Sequence, residues 1–270
     1  MNANKPELTQ QEIFIKSHRR HHRQITSYRF IILILFLILW EICADMGLID
    51  SFFFSSPSRV IILLGKLCMD FSIFYHIGIT LWETVISFLM VFLLSFLVAT
   101  LLWYSPKLSE VLEPYLIVLN SLPKSALAPL FIVWLGTGTT TIIVAGISVA
   151  LFGSIISFYS SFKQCDSEKI TLIYTLGGSN RDAFRKVVLP SSIPVLLSTT
   201  KVNIGLALVG VIIGEFLAAR RGLGYLIIYG SQVFQLNLVI MSIVLLCMIA
   251  MVFYKGTQLI EYKITKKMNV

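Results

Sequence analysis

Three long stretches of this chain carry no charged residue: Ile86–Trp103, Thr139–Phe162 and Phe234–Tyr254. A helix rises 1.5 Å per residue, so about 20 apolar residues cross the hydrocarbon layer of a bilayer. Inside that layer every backbone polar group must be satisfied within the segment, which leaves helices or closed barrels as the possible folds. Continuous apolar runs of this length, without alternation, select the helix. Charged residues make up only 13% of the 270 residues and hydrophobic ones 56%. Soluble domains carry about 25% charge, so lipid is the expected solvent.

Six spans are expected: Tyr28–Leu48, Leu81–Trp103, Leu108–Leu135 (interrupted by Pro123, Lys124 and Pro129), Thr139–Phe162, Ser191–Leu217 and Phe234–Tyr254. Arg59–Phe71 places apolar residues at helical spacing but is too short to span, so it reads as an amphipathic helix at the outer surface. The net charge is +8. Its Lys and Arg flank the apolar runs instead of mixing with exposed aromatics, a membrane pattern and not a nucleic-acid one. Most lie in the N-terminal tail, at Lys107, between Lys163 and Lys186, and after Tyr254, leaving Arg59, Lys66, Arg220 and Arg221 for the opposite side. The positive-inside rule then puts both termini in the cytoplasm. The expected organisation is a basic tail at 1–27, a transmembrane domain at 28–257 with an inner loop at 163–190, and a C-terminal tail at 258–270.

The loop is too polar to span and too patterned to be slack. Asp166 can cap a helix running to Thr175, Gly177-Gly178 can end it, and Ser179 with Asp182 forms a capping-box pair for a second helix that Pro190 closes. Arg181, Arg185 and Lys186 offer pairing to acidic groups on a partner, and Phe184 offers an apolar contact.

Gly177, nine further residues, then Val187-Val188-Leu189-Pro190 resembles the cytoplasmic signature of the permeases of bacterial ABC importers, although the Glu-Ala-Ala triplet that opens it is Thr171-Leu172-Ile173 here. Leu122-Pro123-Lys124-Ser125-Ala126-Leu127-Ala128-Pro129 with Trp134-Leu135-Gly136-Thr137-Gly138, the Phe54–Ser58 turn, and Glu215 followed by Gly222-Leu223-Gly224 resemble the nitrate/sulfonate/taurine branch. The resemblance implies an all-α membrane protein with six transmembrane helices in the type I ABC importer permease (MetI-like) fold, in a bacterial inner membrane. It implies two permease subunits forming the pore, expected as a homodimer in contact with membrane lipid. It also implies separate ATPase subunits carrying ATP and Mg, and an extracellular or periplasmic solute-binding protein. The coupling residues would be Gly177, Ser179, Arg181, Asp182, Phe184, Arg185, Leu189 and Pro190. Substrate is expected to be a small organic or inorganic anion such as a sulfonate, taurine or nitrate, with a vitamin precursor as the alternative. A gradient-driven secondary carrier is the competing class, but no inverted repeat is evident.

The chain has no G-x-x-x-x-G-K-[ST] loop: Gly65-Lys66 is its one Gly-Lys pair and Val60 stands where the first Gly is needed. ATP hydrolysis is therefore expected elsewhere, with no cofactor or metal held by this chain and no nucleic acid bound. Within the spans, Pro123, Lys124 and Pro129 form a bend that lines a path or pairs with a neighbour. Gly210 and Gly214 form a GxxxG for close helix approach. Glu215 gates or pairs with Arg220 or Arg221. Lys201 snorkels to the inner surface, and Glu41, Glu83 and Glu113 are interfacial. The widely spaced Cys43, Cys68, Cys165 and Cys247 are small packing residues.

Overall fold

The computed structural model describes residues 10–48 and 54–268, and every regular element among them is a helix. Residues 1–9 of the expected tail, 49–53 of the expected outer loop and 269–270 lie outside the described residues. The elements are α1 (Gln10–Asp45), α2 (Pro57–Met69), α3 (Ser72–Tyr104), α4 (Pro106–Ser121), α5 (Lys124–Leu135), α6 (Thr139–Lys163), α7 (Ser167–Thr175), α8 (Asn180–Ala183), α9 (Leu189–Ala218), α10 (Leu223–Gln232) and α11 (Leu236–Met268). The chain divides into two compact units, with the boundary after Ile62.

In the first unit, every residue described from Ile31 to Leu39 on α1 is exposed. An apolar helix with no buried face belongs in lipid. Near its end the Glu41 carboxylate accepts from the Ser58 amide at 3.0 Å and the Ser58 hydroxyl at 2.6 Å. Glu41 therefore closes onto the N-terminal turn of α2, where its charge also meets the positive end of the helix dipole.

The second unit is built around α3, α6 and α9. Residues one turn apart separate the faces of α3: Ser87, Val91, Ser95 and Ala99 are buried, whereas Leu89, Leu93, Leu97 and Leu101 are exposed. Along α6 the buried stripe is Ile142, Gly146, Ala150, Ser154, Phe158 and Phe162. Small residues on these stripes allow the backbones to approach, since lipid offers no hydrophobic drive for helix association. The three helices converge at Gly146, where an added Cβ would lie 2.5 Å from Ser87 Oγ and 2.9 Å from a Val211 methyl. The GxxxG of α9 seats on the same helix: a Cβ on Gly210 would lie 2.8 Å from Gly146 Cα, and one on Gly214 2.9 Å from Ile142 Cα. Hydroxyls within the bundle donate to carbonyls one turn back, as from Ser95 to Val91 and Ser154 to Ala150, both at 2.6 Å. That local bond satisfies a polar group without water.

The expected third span is two helices. α4 and α5 meet at 96°. At 16 and 12 residues, they reach about 24 and 18 Å, neither a full crossing alone. Pro123 lacks the amide that would continue α4, and Leu122 before it is extended, as a residue preceding proline prefers. Among the described residues five helices are long and apolar enough to cross a membrane, or six with the bent pair taken as one crossing. The span expected from Leu81 begins at Ser72, and the last helix continues past Tyr254 to Met268. Helix α10, between the fifth and sixth spans, was not anticipated.

Candidate coupling elbow and buried carboxyl site

The polar loop folds as a capped two-helix elbow. Asp166 Oδ1 accepts from the Glu168 amide at 3.0 Å and starts α7. Gly177, at φ +80°, ends it: the Gly178 amide reaches Ile173 O at 2.9 Å and the Gly177 amide Tyr174 O at 3.0 Å. This is the paired Schellman pattern, and its left-handed residue favours glycine. The capping box is also present. The Asp182 amide donates to Ser179 Oγ at 3.3 Å, and the Ser179 amide donates to Asp182 Oδ2 at 3.0 Å. The Tyr174 hydroxyl donates to Asn180 Oδ1 at 3.0 Å, tying α7 to α8 across the glycines.

Pro190 does not close the second helix. A single π turn, Phe184–Val188, follows α8, and the Leu189 amide bonds back to Phe184 O. The longer step passes the chain over the missing proline amide, and the helix continues without interruption from Asn180 to Ala218.

The residues named for this loop face two ways. Phe184 is buried, with ring centroids 5.1 Å from Trp103, 5.5 Å from Tyr104 and 5.4 Å from Phe162. Val188 and Leu189 join the same cluster. Phe184 thus fastens the elbow to the bundle. Arg181 and Arg185 are exposed, and Lys186 pairs with Asp182 at 3.5 Å. Beside them Leu172, Tyr174 and Leu176 are exposed. Leu176 escaped the sequence reading because it lies beyond the helical register, on the turn itself.

At the α4–α5 bend, Lys124 Nζ donates to Leu119 O at 2.5 Å and Asn120 O at 2.8 Å, and stands 5.7 Å over the Phe152 ring. The cation caps the last carbonyls of α4, where the helix dipole is negative. The Lys201 ammonium pairs with Glu261 of α11 at 2.5 Å. Glu113 is exposed.

Far from the elbow lies a buried polar site. Glu215, 1% exposed, accepts from Thr80 Oγ1 at 2.7 Å and from the Gly224 amide at 2.5 Å. Thr80 Oγ1 in turn accepts from the Leu223 amide at 2.9 Å, and the Gly222 amide donates to His76 Nδ1 at 3.0 Å. Glu215 therefore holds a backbone turn and does not pair with an arginine; Arg221 instead bonds the Tyr75 hydroxyl and lies 5.1 Å over its ring. Gly222 has φ +109°, and a Cβ there would strike the Glu215 carboxyl. Glu83 is 1% exposed, not interfacial. Its carboxyl lies against that of Glu215 and beside the Thr139 hydroxyl, yet Glu83 Oε2 has no hydrogen-bond partner. A cavity of about 630 Å³ opens here, with Glu83, Trp82, Tyr75, Thr139 and Arg220 among its lining residues. Thr80, Glu83, Thr84 and Ser87 sit at i, i+3, i+4 and i+7, a polar stripe in an apolar span that marks the site in the sequence.

The elbow and the cavity occupy opposite ends of the same two helices. On α3, Glu83 lines the cavity and Trp103 packs on Phe184; 20 positions separate them, about 30 Å along a helix. The stretch from Asn180 to Ala218 runs from the elbow to the cavity lining.

Comparison with known proteins bears on this arrangement. Residues 91–266 match the model of the family described as binding-protein-dependent transport system inner membrane component. The taurine transport system permease protein TauC of Escherichia coli (strain K12) is 24% identical over 90% of this chain and 90% of that protein. The formylaminopyrimidine transport permease protein ThiX of Halalkalibacterium halodurans is 26% identical over 71% of this chain and 76% of that protein. An inward-facing crystal structure of the MetNI methionine ABC transporter contains a chain that superposes with a TM-score of 0.62 at 19% identity, covering 72% of this chain and 97% of that one.

Proposed function

This chain belongs to the family of binding-protein-dependent transport system inner membrane components, and from that premise we propose that its elbow takes force from an ATPase subunit and its α9 rod delivers that force to the Glu215 site. One observation carries the reading: the helix is unbroken from Asn180 beside the Schellman turn to Ala218 beside the cavity. A continuous helix transmits a displacement at one end to the other, which a loop or a hinged pair does not. Capping at Ser179 and ring packing at Phe184 stiffen the end that receives the load.

In this reading the elbow faces the cytoplasm, as do both termini, because the Lys and Arg lie on that side of the apolar spans. Leu172, Tyr174 and Leu176 insert into a groove of the ATPase, and Arg181 and Arg185 meet acidic groups around it. ATP and Mg bind to that partner, where hydrolysis takes place, and not to this chain. A solute-binding protein delivers the substrate at the cavity end, and a second permease subunit, identical to this one, completes the pore in the lipid bilayer. The Pro123, Lys124 and Pro129 bend borders the translocation path, while Gly210 and Gly214 seat α9 on α6 and Glu215 holds the turn at its end. The solute is small and carries an acidic group, of the sulfonate or taurine kind. The relative named for formylaminopyrimidine makes a vitamin precursor the second substrate class.

The test is site-directed cross-linking in the assembled transporter. Cysteine at Leu176 is expected to cross-link to the ATPase subunit, and cysteine at Leu101, which faces outward on α3, is not. Replacing Leu176 and Arg185 together by Asp is expected to abolish ATP-driven uptake while the permease still reaches the membrane. Unchanged uptake and no cross-link at Leu176 would remove the elbow from the mechanism.

A further inference from the structure

We propose that Glu83 and Glu215 form a proton-binding site, in which one proton held on Glu83 is donated to the Glu215 carboxylate and fastens α3 to α9 beside the cavity. The site stands on the buried pair itself and does not depend on the transport reading above.

The two carboxyl groups come from different helices and lie in hydrogen-bond contact, each on a residue only 1% exposed. Two ionised carboxylates offer acceptor oxygens and no donor. A hydrogen bond between them therefore requires a proton, and two bare charges in contact repel. The nearby arginines do not neutralise them: Arg221 is engaged with Tyr75, and Arg220 is exposed. Among the described residues no third His, Cys, Asp or Glu joins the pair as a metal-binding group.

The donors around the pair decide which member holds the proton. Glu215 accepts from Thr80 Oγ1 at 2.7 Å and from the Gly224 amide at 2.5 Å, the setting of an ionised carboxylate. Glu83 has the Thr139 hydroxyl beside it, and its enclosed Oε2 receives no donor. A charged oxygen so placed is costly, whereas the oxygen of a neutral carboxyl group costs far less. Glu83 thus carries the proton and Glu215 the charge. The other titratable and charged groups at this end are Tyr75 and His76 on α3, Arg220 and Arg221 in the turn after α9, and Tyr225 on α10, while α6 presents the Thr139 hydroxyl. His76 Nδ1 is occupied by the Gly222 amide. When the proton leaves through the cavity, which Glu83 lines, two carboxylates face each other and the end of α9 is pushed off α3.

The experiment uses the full chain in lipid nanodiscs. Infrared difference spectra between the wild type and Glu83→Gln at neutral pH read the proton directly. A carbonyl stretch of a protonated carboxyl group, moving to lower frequency in heavy water, is expected in the wild type and is expected to be lost in the variant. Melting temperature is the second readout. Folding takes up the proton, so stability falls as pH rises, and the wild type is expected to lose at least about 4 °C between about pH 7 and about pH 9. In that window ordinary histidines have already released their protons and ordinary tyrosines still keep theirs. Glu83→Gln keeps an N–H donor for Glu215 and has no proton to lose, so its melting temperature is expected to stay level. Glu113→Gln, at an exposed position on α4, should follow the wild type. Absence of a Glu83-dependent carboxyl band, or an equal pH slope in the wild type and Glu83→Gln, would overturn the inference. So would stabilisation by sodium or magnesium in the wild type and not in Glu83→Gln, which would put a metal cation between the carboxylates in place of the proton.

Discussion

The Thr80 hydroxyl donates to Glu215 at 2.7 Å and at the same time accepts from the Leu223 amide at 2.9 Å, joining residues 135 and 143 positions apart. One small side chain on α3 thus clamps the end of α9 and the start of α10. Removing the hydroxyl leaves a buried carboxylate and a buried amide each short of a partner. Thr80→Val is expected to destabilise the protein by about 2 kcal/mol, since an unsatisfied buried group costs roughly 1–3. Thr80→Ser should cost far less. Thermal unfolding in detergent, compared for the two variants, checks the ordering.

Glycine at 222 is required twice over, by a φ of +109° and by the Glu215 carboxyl where a Cβ would lie. Gly222→Ala is expected to be among the most damaging single changes in the chain, with loss of folded protein in the membrane. Gly205→Ala is the matched control. It sits inside α9 with nothing within 4 Å of the added Cβ, so the change should stabilise by about 0.5–1 kcal/mol through helix propensity. Yield and melting temperature of the two proteins, measured side by side, test the contrast.

The elbow separates backbone needs from side-chain needs. Gly177 is at φ +80° with open space around it, so an alanine there meets no clash and only the left-handed strain, about 1–2 kcal/mol. Gly177→Ala is expected to reduce ATP-driven uptake severalfold while Gly177→Asn, which tolerates that conformation better, keeps most of it. Equal uptake in both variants would mean that the turn geometry does not matter to coupling.

The elbow was the most legible part of the chain. Caps and helix breaks are local, and the residues that make them (Asp166, Gly177, Ser179, Asp182) announce themselves within a few positions. The buried stripe Ser87, Val91, Ser95, Ala99 follows helical spacing, but which face of a uniformly apolar span turns inward is settled only by its neighbours. The carboxyl site was not readable in the same way. Glu83 reads as interfacial when the span starts at Leu81, but α3 starts at Ser72, which moves Glu83 from the span end into the bundle. The partners of Glu215 come from α3 and from the turn before α10, so no local window contains them. Pro190 misled for the opposite reason. A proline usually ends a helix, but one π turn allows the backbone to pass it.

Lys201 and Glu261 show what a charge inside a span can be for. The ammonium of Lys201 on α9 pairs with Glu261 on α11 at 2.5 Å, with both side chains partly covered. The pair ties the α9 rod to the extension of the last helix beyond Tyr254, at the end of α9 nearer the elbow. Removing either partner alone leaves a partly covered charge without its counter-ion, which is worse than removing both. Lys201→Met and Glu261→Gln are each expected to lower the melting temperature, and the double variant to recover part of the loss. Exchanging the two charges, Lys201→Glu with Glu261→Lys, should recover more. A double-mutant cycle on the purified permease gives the coupling directly, and additive losses would show that the two side chains act independently.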